Sequence, residues 1–194
     1  MIAGEFCYFL MTYRRRPQLN IIVSRIVTIQ QQITVKLQDF VCFLYDNKMI
    51  DLENLLTDDE NGSLNRLKLQ KYVYLAQTCM QNNFGYEYNI YRNGPYSPGL
   101  ANYYYEEIDL DEILSDVKEK NWNNNPDFTE RFLALFNKHE PDWLEVSTTL
   151  IDSTFYCESE QECLDKVYAI KSVYSADYIV DVWKELKEKG LVPY

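Results

Sequence analysis

Apolar residues three and four positions apart recur through most of the chain. That spacing predicts a mainly α-helical fold, a single compact domain of about seven helices. In residues 21–46, Ile33, Leu37, Phe40, Val41 and Leu44 share one helix face, and the β-branched run at 21–29 reads equally as a strand or as the start of one long helix. A short helix at 52–56 follows, and the charged, Asn- and Gly-containing run at 57–63 reads as an exposed loop. Ser63 is the expected cap of the next helix, its hydroxyl accepting from the free amides of the first turn. That helix carries Leu69, Tyr72, Val73, Ala76 and Met80 on one side and Arg66, Lys68 and Lys71 largely around another, which predicts a buried central element ending near Gly85.

The period then changes. Tyr86, Tyr88 and Ile90 alternate with Glu87, Asn89 and Tyr91, the two-residue repeat of one short β segment before a turn forced by Asn93, Gly94 and Pro95. Ser97 and Pro98 are the pair expected at the N-cap and first position of a helix through Leu100, Tyr103 and Tyr104. Asp109 with Glu112 resembles a capping box for a helix carrying Leu110, Ile113, Leu114 and Val117. Phe128, Phe132, Leu135 and Phe136 mark another face, and Pro141 opens a helix with Trp143, Val146, Leu150 and Ile151 inward. Cys163, Leu164, Val167 and Ile170 mark the next. Ser175 caps the last, in which Ile179, Val182, Trp183 and Leu186 face inward before Gly190. The expected organisation is an extension over residues 1–20 and one helical domain over 21–194.

Composition changes this picture at three points. Seventeen tyrosines supply large apolar area with a hydroxyl that wants a partner, which points to surfaces or grooves that touch something. The formal net charge of -11 argues against a surface given over to nucleic acid or an acidic membrane. Residues 1–40 carry a net +3, however, so a local basic patch stays open. Five cysteines without metal-ligand spacing predict reduced thiols in a cytoplasmic protein, Cys157 and Cys163 being the pair close enough to bridge a short loop. The apolar run before Arg14, Arg15 and Arg16 has the wrong order for a signal peptide and is too short to span a bilayer; Met1 and Met11 both stand as possible starts.

Candidate chemistry is sparse. His139 is the single histidine and stands beside a helix start, which fits a structural role. Ser97 has Gly99 two positions after it but Pro95 two before it, which breaks the serine-elbow pattern. No phosphate-binding glycine loop is present. Asp58, Asp59 and Glu60, like Asp109, Asp111 and Glu112, read as a solvated loop and a helix start rather than a metal site. No catalytic residue, metal or cofactor is expected. Arg66, Lys68 and Lys71, with Arg92, bring positive charge near Tyr91 and Tyr96, as either a solvated helix edge or a recognition patch for an acidic partner or nucleic acid.

Two segments within residues 63–105 resemble the Panacea-type antitoxin domain family of phage-associated, proteolysis-adaptor-like proteins. Lys68, Leu69, Gln70, Lys71 and Tyr74 match its first element, and Gly94, Pro95, Tyr96 and Ser97 its second. The chain departs from the pattern in residues 1–50 and at Asn93, where an aromatic or small residue is more usual. The resemblance implies a mostly helical, non-enzymatic protein-binding module that neutralises a cognate toxin or delivers it to a protease. The residues expected at the partner surface are Arg66, Lys68, Gln70, Lys71, Tyr74, Tyr91, Arg92 and Tyr96, on a scaffold of Gly94, Pro95, Ser97 and Pro98. The alternatives are a nucleic-acid-binding regulator, in which residues 178–192 close a winged-helix-like unit, and more remotely a hydrolase using Ser97 or a carboxylate pair.

Overall fold

The computed structural model describes residues 35–137 and 139–193, and those from 35 to 192 belong to one compact unit. The readings of the 1–20 extension, the 21–29 run and Ile33 lie outside the described residues. The described fold is mainly helical: eight α-helices, one π-helical turn and a single two-stranded antiparallel sheet. In chain order these are α1 (Leu37–Asp46), α2 (Glu60–Cys79), β1 (Asn89–Tyr91), β2 (Gly94–Tyr96), α3 (Pro98–Asn102), the π turn (Tyr103–Glu107), α4 (Leu110–Glu119), α5 (Pro126–Phe136), α6 (Pro141–Ser153), α7 (Glu160–Ile170) and α8 (Ala176–Glu188).

The centre is α2. Its residues 69–76 are buried without a break, so its polar side chains there are internal rather than confined to a wet face. These side chains satisfy the backbone of the irregular segments packed around the helix, which would otherwise leave buried polar groups unpaired. Asn65 Oδ1 accepts from the Asp51 amide at 2.8 Å, and Arg66 Nη1 donates to the Leu55 and Thr57 carbonyls. Gln77 receives the Phe84 and Tyr86 amides and donates to the Tyr86 carbonyl. Just beyond the helix, Asn82 holds both the amide and the carbonyl of Val35.

On one side of α2, Phe40 packs edge-on against Phe128 and Phe132, and Phe132 contacts Phe43, Tyr72 and Phe136. Truncating the fully buried Phe132 to alanine removes the hub of this cluster, a loss of about 3–5 kcal/mol. On the other side α2 packs on α6, which also carries β2, α7 and α8. The inward residues of α8, Ile179, Val182, Trp183 and Leu186, are all buried as their spacing predicts.

Several boundaries differ from the sequence reading. α2 begins one turn earlier than Ser63: Asp59 is the N-cap and accepts from the Gly62 amide at 2.8 Å. Gly62 is required there, since a Cβ would lie 2.0 Å from the Thr57 carbonyl oxygen. Residues 52–56 form turns, not a helix, because Leu52 and Leu55 plug the core from a loop held by Arg66 and Asn65. α2 stops at Cys79 with Gln81 at positive φ, and Gly85 lies in the following loop. The alternation at 86–90 yields a strand only from Asn89, because the Tyr86 backbone is taken by Gln77. Gly94, Pro95 and Tyr96 form a second strand rather than the turn, which is made by Arg92 and Asn93. Ile170 ends α7 exposed, because the backbone leaves the helix at Lys171 and it is Lys171 that turns inward. At the C-terminal end α8 is followed by a turn at Gly190; the described residues 176–193 hold no strand to serve as a wing.

Other capping expectations hold. Ser97 accepts from Leu100 N with Pro98 in the first turn, Asp109 accepts from Glu112 N, Ser175 accepts from Tyr178 N, and Pro141 opens α6.

Candidate functional site

The hairpin of β1 and β2 is pinned to the core from beneath. Its register pairs Asn89 with Tyr96, Ile90 with Pro95 and Tyr91 with Gly94. Pro95 has no N–H, so the Ile90–Pro95 pair is one that makes no ladder hydrogen bonds, and the proline costs the sheet nothing. Its carbonyl is instead held from α2, where Lys71 Nζ donates to Pro95 O at 2.6 Å. One residue earlier on α2, Gln70 Nε2 donates to Ser97 O and Gln70 Oε1 accepts from Ser97 N, both at 2.9 Å.

Gly94 makes the close approach possible. It sits at φ +85°, and a Cβ there would lie 2.6 Å from Thr149 Oγ1 and 3.5 Å from Lys71 Nζ. From the α6 side, Lys171 Nζ pairs with Glu145 Oε1 at 2.8 Å and also donates to the Arg92 carbonyl, so the turn is anchored at both ends.

Two lysines are therefore buried under one hairpin: Lys71 is 2% exposed and Lys171 1%. The carboxylate beside them, Glu145, is in contact with Lys171. Burial, reinforced by the like charge of Lys171 and only partly opposed by Glu145, lowers the Lys71 amine from its usual range to about 7. An amine in that range can act as a proton acceptor near neutrality.

Above this floor lies an open groove of about 410 Å³. It is lined by Ser63, Arg66, Leu67, Gln70 and Lys71 of α2, by Tyr91, Arg92, Asn93, Gly94 and Tyr96 of the hairpin, and by Tyr104 and Tyr105 of the π turn. Tyr91 and Tyr105 are half exposed, and Tyr91 packs edge-on against Tyr96 with ring centroids 5.3 Å apart. The Arg66 guanidinium stands 5.6 Å over the Tyr105 ring. Burial raises the Tyr104 hydroxyl well above its usual range, so that side chain stays neutral beside Gln70 and Tyr96.

Six of the eight residues expected at a partner surface thus meet at one groove: Arg66, Gln70, Lys71, Tyr91, Arg92 and Tyr96. Lys71 and Gln70 lie in its floor as buried anchors, a correction to the reading of Lys71 as part of a solvated helix edge. The other two lie elsewhere. Lys68 lines a separate depression of about 550 Å³ with Asp46 and Asp51. Tyr74 is 4% exposed, its hydroxyl donating to Asp152 at 3.3 Å and its ring packed edge-on against Tyr88.

Three residues that position the groove were not singled out from the sequence: Glu145, Thr149 and Lys171. The available signal was indirect, since Glu145 and Thr149 are four apart on α6, a helix buried on most of its faces.

Ser97 is 1% exposed and its oxygen is engaged by the Leu100 amide. His139 lies stacked on Trp143 at a centroid distance of 3.5 Å, beside Lys189 and Glu185 and away from the groove. Among the described residues no cluster of His, Cys, Asp or Glu could hold a metal ion, and no helix is long and apolar enough to cross a membrane. Cys42, Cys79 and Cys163 are free thiols, and Cys157 is hydrogen-bonded to Cys163 rather than bridged to it by a disulfide. Comparison with known proteins finds no matching family model, no similar curated protein and no similar solved structure.

Proposed function

We propose that this chain is a non-enzymatic, antitoxin-like protein-binding module acting in the cytoplasm, with the groove between α2, the hairpin and the π turn as its contact surface. One observation carries the reading. The two sequence elements that resemble the Panacea-type domain are bonded to each other, Gln70 to Ser97 and Lys71 to Pro95, and together they hold an Arg- and Tyr-lined groove open to solvent. Arginine and tyrosine dominate the energetically important positions of protein interfaces, because both combine large contact area with directional hydrogen bonding.

A surface held this rigidly loses little conformational freedom on binding. The partner expected is a cognate protein, a toxin encoded beside this gene, which the module neutralises or delivers to a protease. The test is to express the adjacent open reading frame alone and with this chain. Growth arrest by the neighbour, relieved by co-expression and accompanied by copurification, is the expected result. A harmless neighbour that does not copurify contradicts the reading.

A further inference from the structure

Resting on the reading of the groove as a protein-binding surface, we infer that its occupant is an extended acidic segment of the partner, with an Asp or Glu carboxylate seated between Arg66 and Arg92 above Lys71. Four observations converge on a carboxylate. The first is a charge imbalance beneath the hairpin: among the described residues the two buried lysines share one carboxylate, Glu145, and Lys171 holds it. When protonated, Lys71 has three N–H donors and, among the described residues, one acceptor, Pro95 O, and it lines the groove from below.

The second is the lining itself. On a chain of net charge -11, the described residues of the groove include Arg66, Lys71 and Arg92 and no Asp or Glu. The third is preparation without neutralisation. Arg66 is fixed by two backbone carbonyls and the Tyr105 ring, none of which cancels its charge, and the exposed Arg92 side chain has no partner among the described residues. A charged group already oriented and partly desolvated attracts a counter-ion more strongly than a mobile surface one.

The fourth decides between anionic occupants. Nucleic acid is gripped through phosphate contacts repeated along a strand, whereas the described residues of the groove gather their cations, Arg66, Lys71 and Arg92, at one spot. A peptide brings one or two carboxylates to the local cationic spot and lays its remaining surface on Tyr91, Tyr96 and Tyr105.

The probe is a blocked hexaglutamate peptide titrated into the full chain and followed by amide NMR shifts at about 20 and 200 mM salt, with blocked hexaglutamine, inorganic phosphate and a ten-nucleotide oligo-dT as parallel arms. Hexaglutamate is expected to move Tyr91, Arg92, Tyr96 and Tyr105, more weakly at the higher salt, while hexaglutamine moves none of them. Arg92→Gln should weaken binding several-fold and Arg92→Glu at least about tenfold, the electrostatic share of one close charge pair, with unchanged melting temperature because the side chain is exposed. Hexaglutamate that leaves these residues unmoved, or that binds Arg92→Glu as well as wild type, overturns the proposal. So does phosphate or oligo-dT occupying the same residues more tightly than the peptide. A neighbouring gene product that copurifies equally with wild type and Arg92→Glu also overturns the carboxylate seat while leaving the binding module standing. Hexaglutamate binding without any copurifying neighbour keeps the seat and removes the module.

Discussion

The side-chain amide of Gln70 closes on both backbone polar groups of Ser97, donating to its carbonyl and accepting from its amide at 2.9 Å each. Both residues are buried, so no water replaces the pair if the side chain is removed. Gln70→Ala should therefore destabilise the fold by about 2–4 kcal/mol, the cost of leaving two buried backbone groups unpaired. Urea denaturation would show it as a lower midpoint with an unchanged slope. A midpoint within error of wild type would mean that the clasp contributes nothing.

Gly94 faces Thr149 at a distance no Cβ tolerates, and at a φ that L-residues rarely adopt. Gly94→Ala combines two penalties, a backbone term of about 1–2 kcal/mol and a steric term from Thr149 Oγ1. Adding Thr149→Ala should return part of the loss, while the backbone term stays. Strict additivity of the two substitutions in a double-mutant cycle would contradict the contact.

Lys71 makes stability depend on pH in a definite direction. In the folded chain its amine titrates at about 7, below its ordinary value of 10.5, because burial and Lys171 disfavour the charge. Between those two values the unfolded chain binds the extra proton, so stability rises with pH from about 7 upward, with a slope approaching about 1.4 kcal/mol per pH unit. Below pH 7 both states are protonated and the term is flat. Unfolding measured from pH 6 to 9 should show this rise in wild type and lose it in Lys71→Met. Lys171→Met, which removes the like charge, should move the onset to higher pH. Equal pH slopes in wild type and Lys71→Met would contradict the assignment.

Ser97 accepts the Leu100 amide at the start of α3 and takes no part in any reaction under this account. Ser97→Ala should cost about 0.5–2 kcal/mol, the loss of an N-cap, and leave partner binding intact at temperatures where the variant is folded. Copurification that fails although circular dichroism shows a folded chain would assign the hydroxyl a second role.

The helical plan is legible in the sequence because caps and apolar spacing act locally. Ser97 with Pro98, Asp109 with Glu112, Pro141 and Ser175 all stand where their side-chain chemistry places them. The start of α2 is less legible, since Asp59 rather than Ser63 caps it and Gly62 is set by a tertiary approach to Thr57. The second strand is hidden because Gly94 and Pro95 read locally as a turn. Only the pairing with Ile90 and the bond from Lys71 show that the missing N–H is unneeded.

The candidate site was half visible for a related reason. Arg66, Tyr91, Arg92 and Tyr96 read correctly as neighbours, but lysines are so seldom buried that Lys71 and Lys171 were not expected inside. The clue was that α2 is central: a helix buried through residues 69–76 must internalise whatever polar residues it carries.

The groove's role as the partner surface is open to one direct test. The decisive measurement is the dissociation constant of the purified neighbouring gene product for wild type and for a Tyr91→Ala, Arg92→Glu double variant, whose two side chains are exposed. Calorimetric titration should show the variant at least about a hundredfold weaker, in line with the loss of two interface anchors, at an unchanged melting temperature. Equal affinity for the two proteins would place the partner on another face and contradict the account.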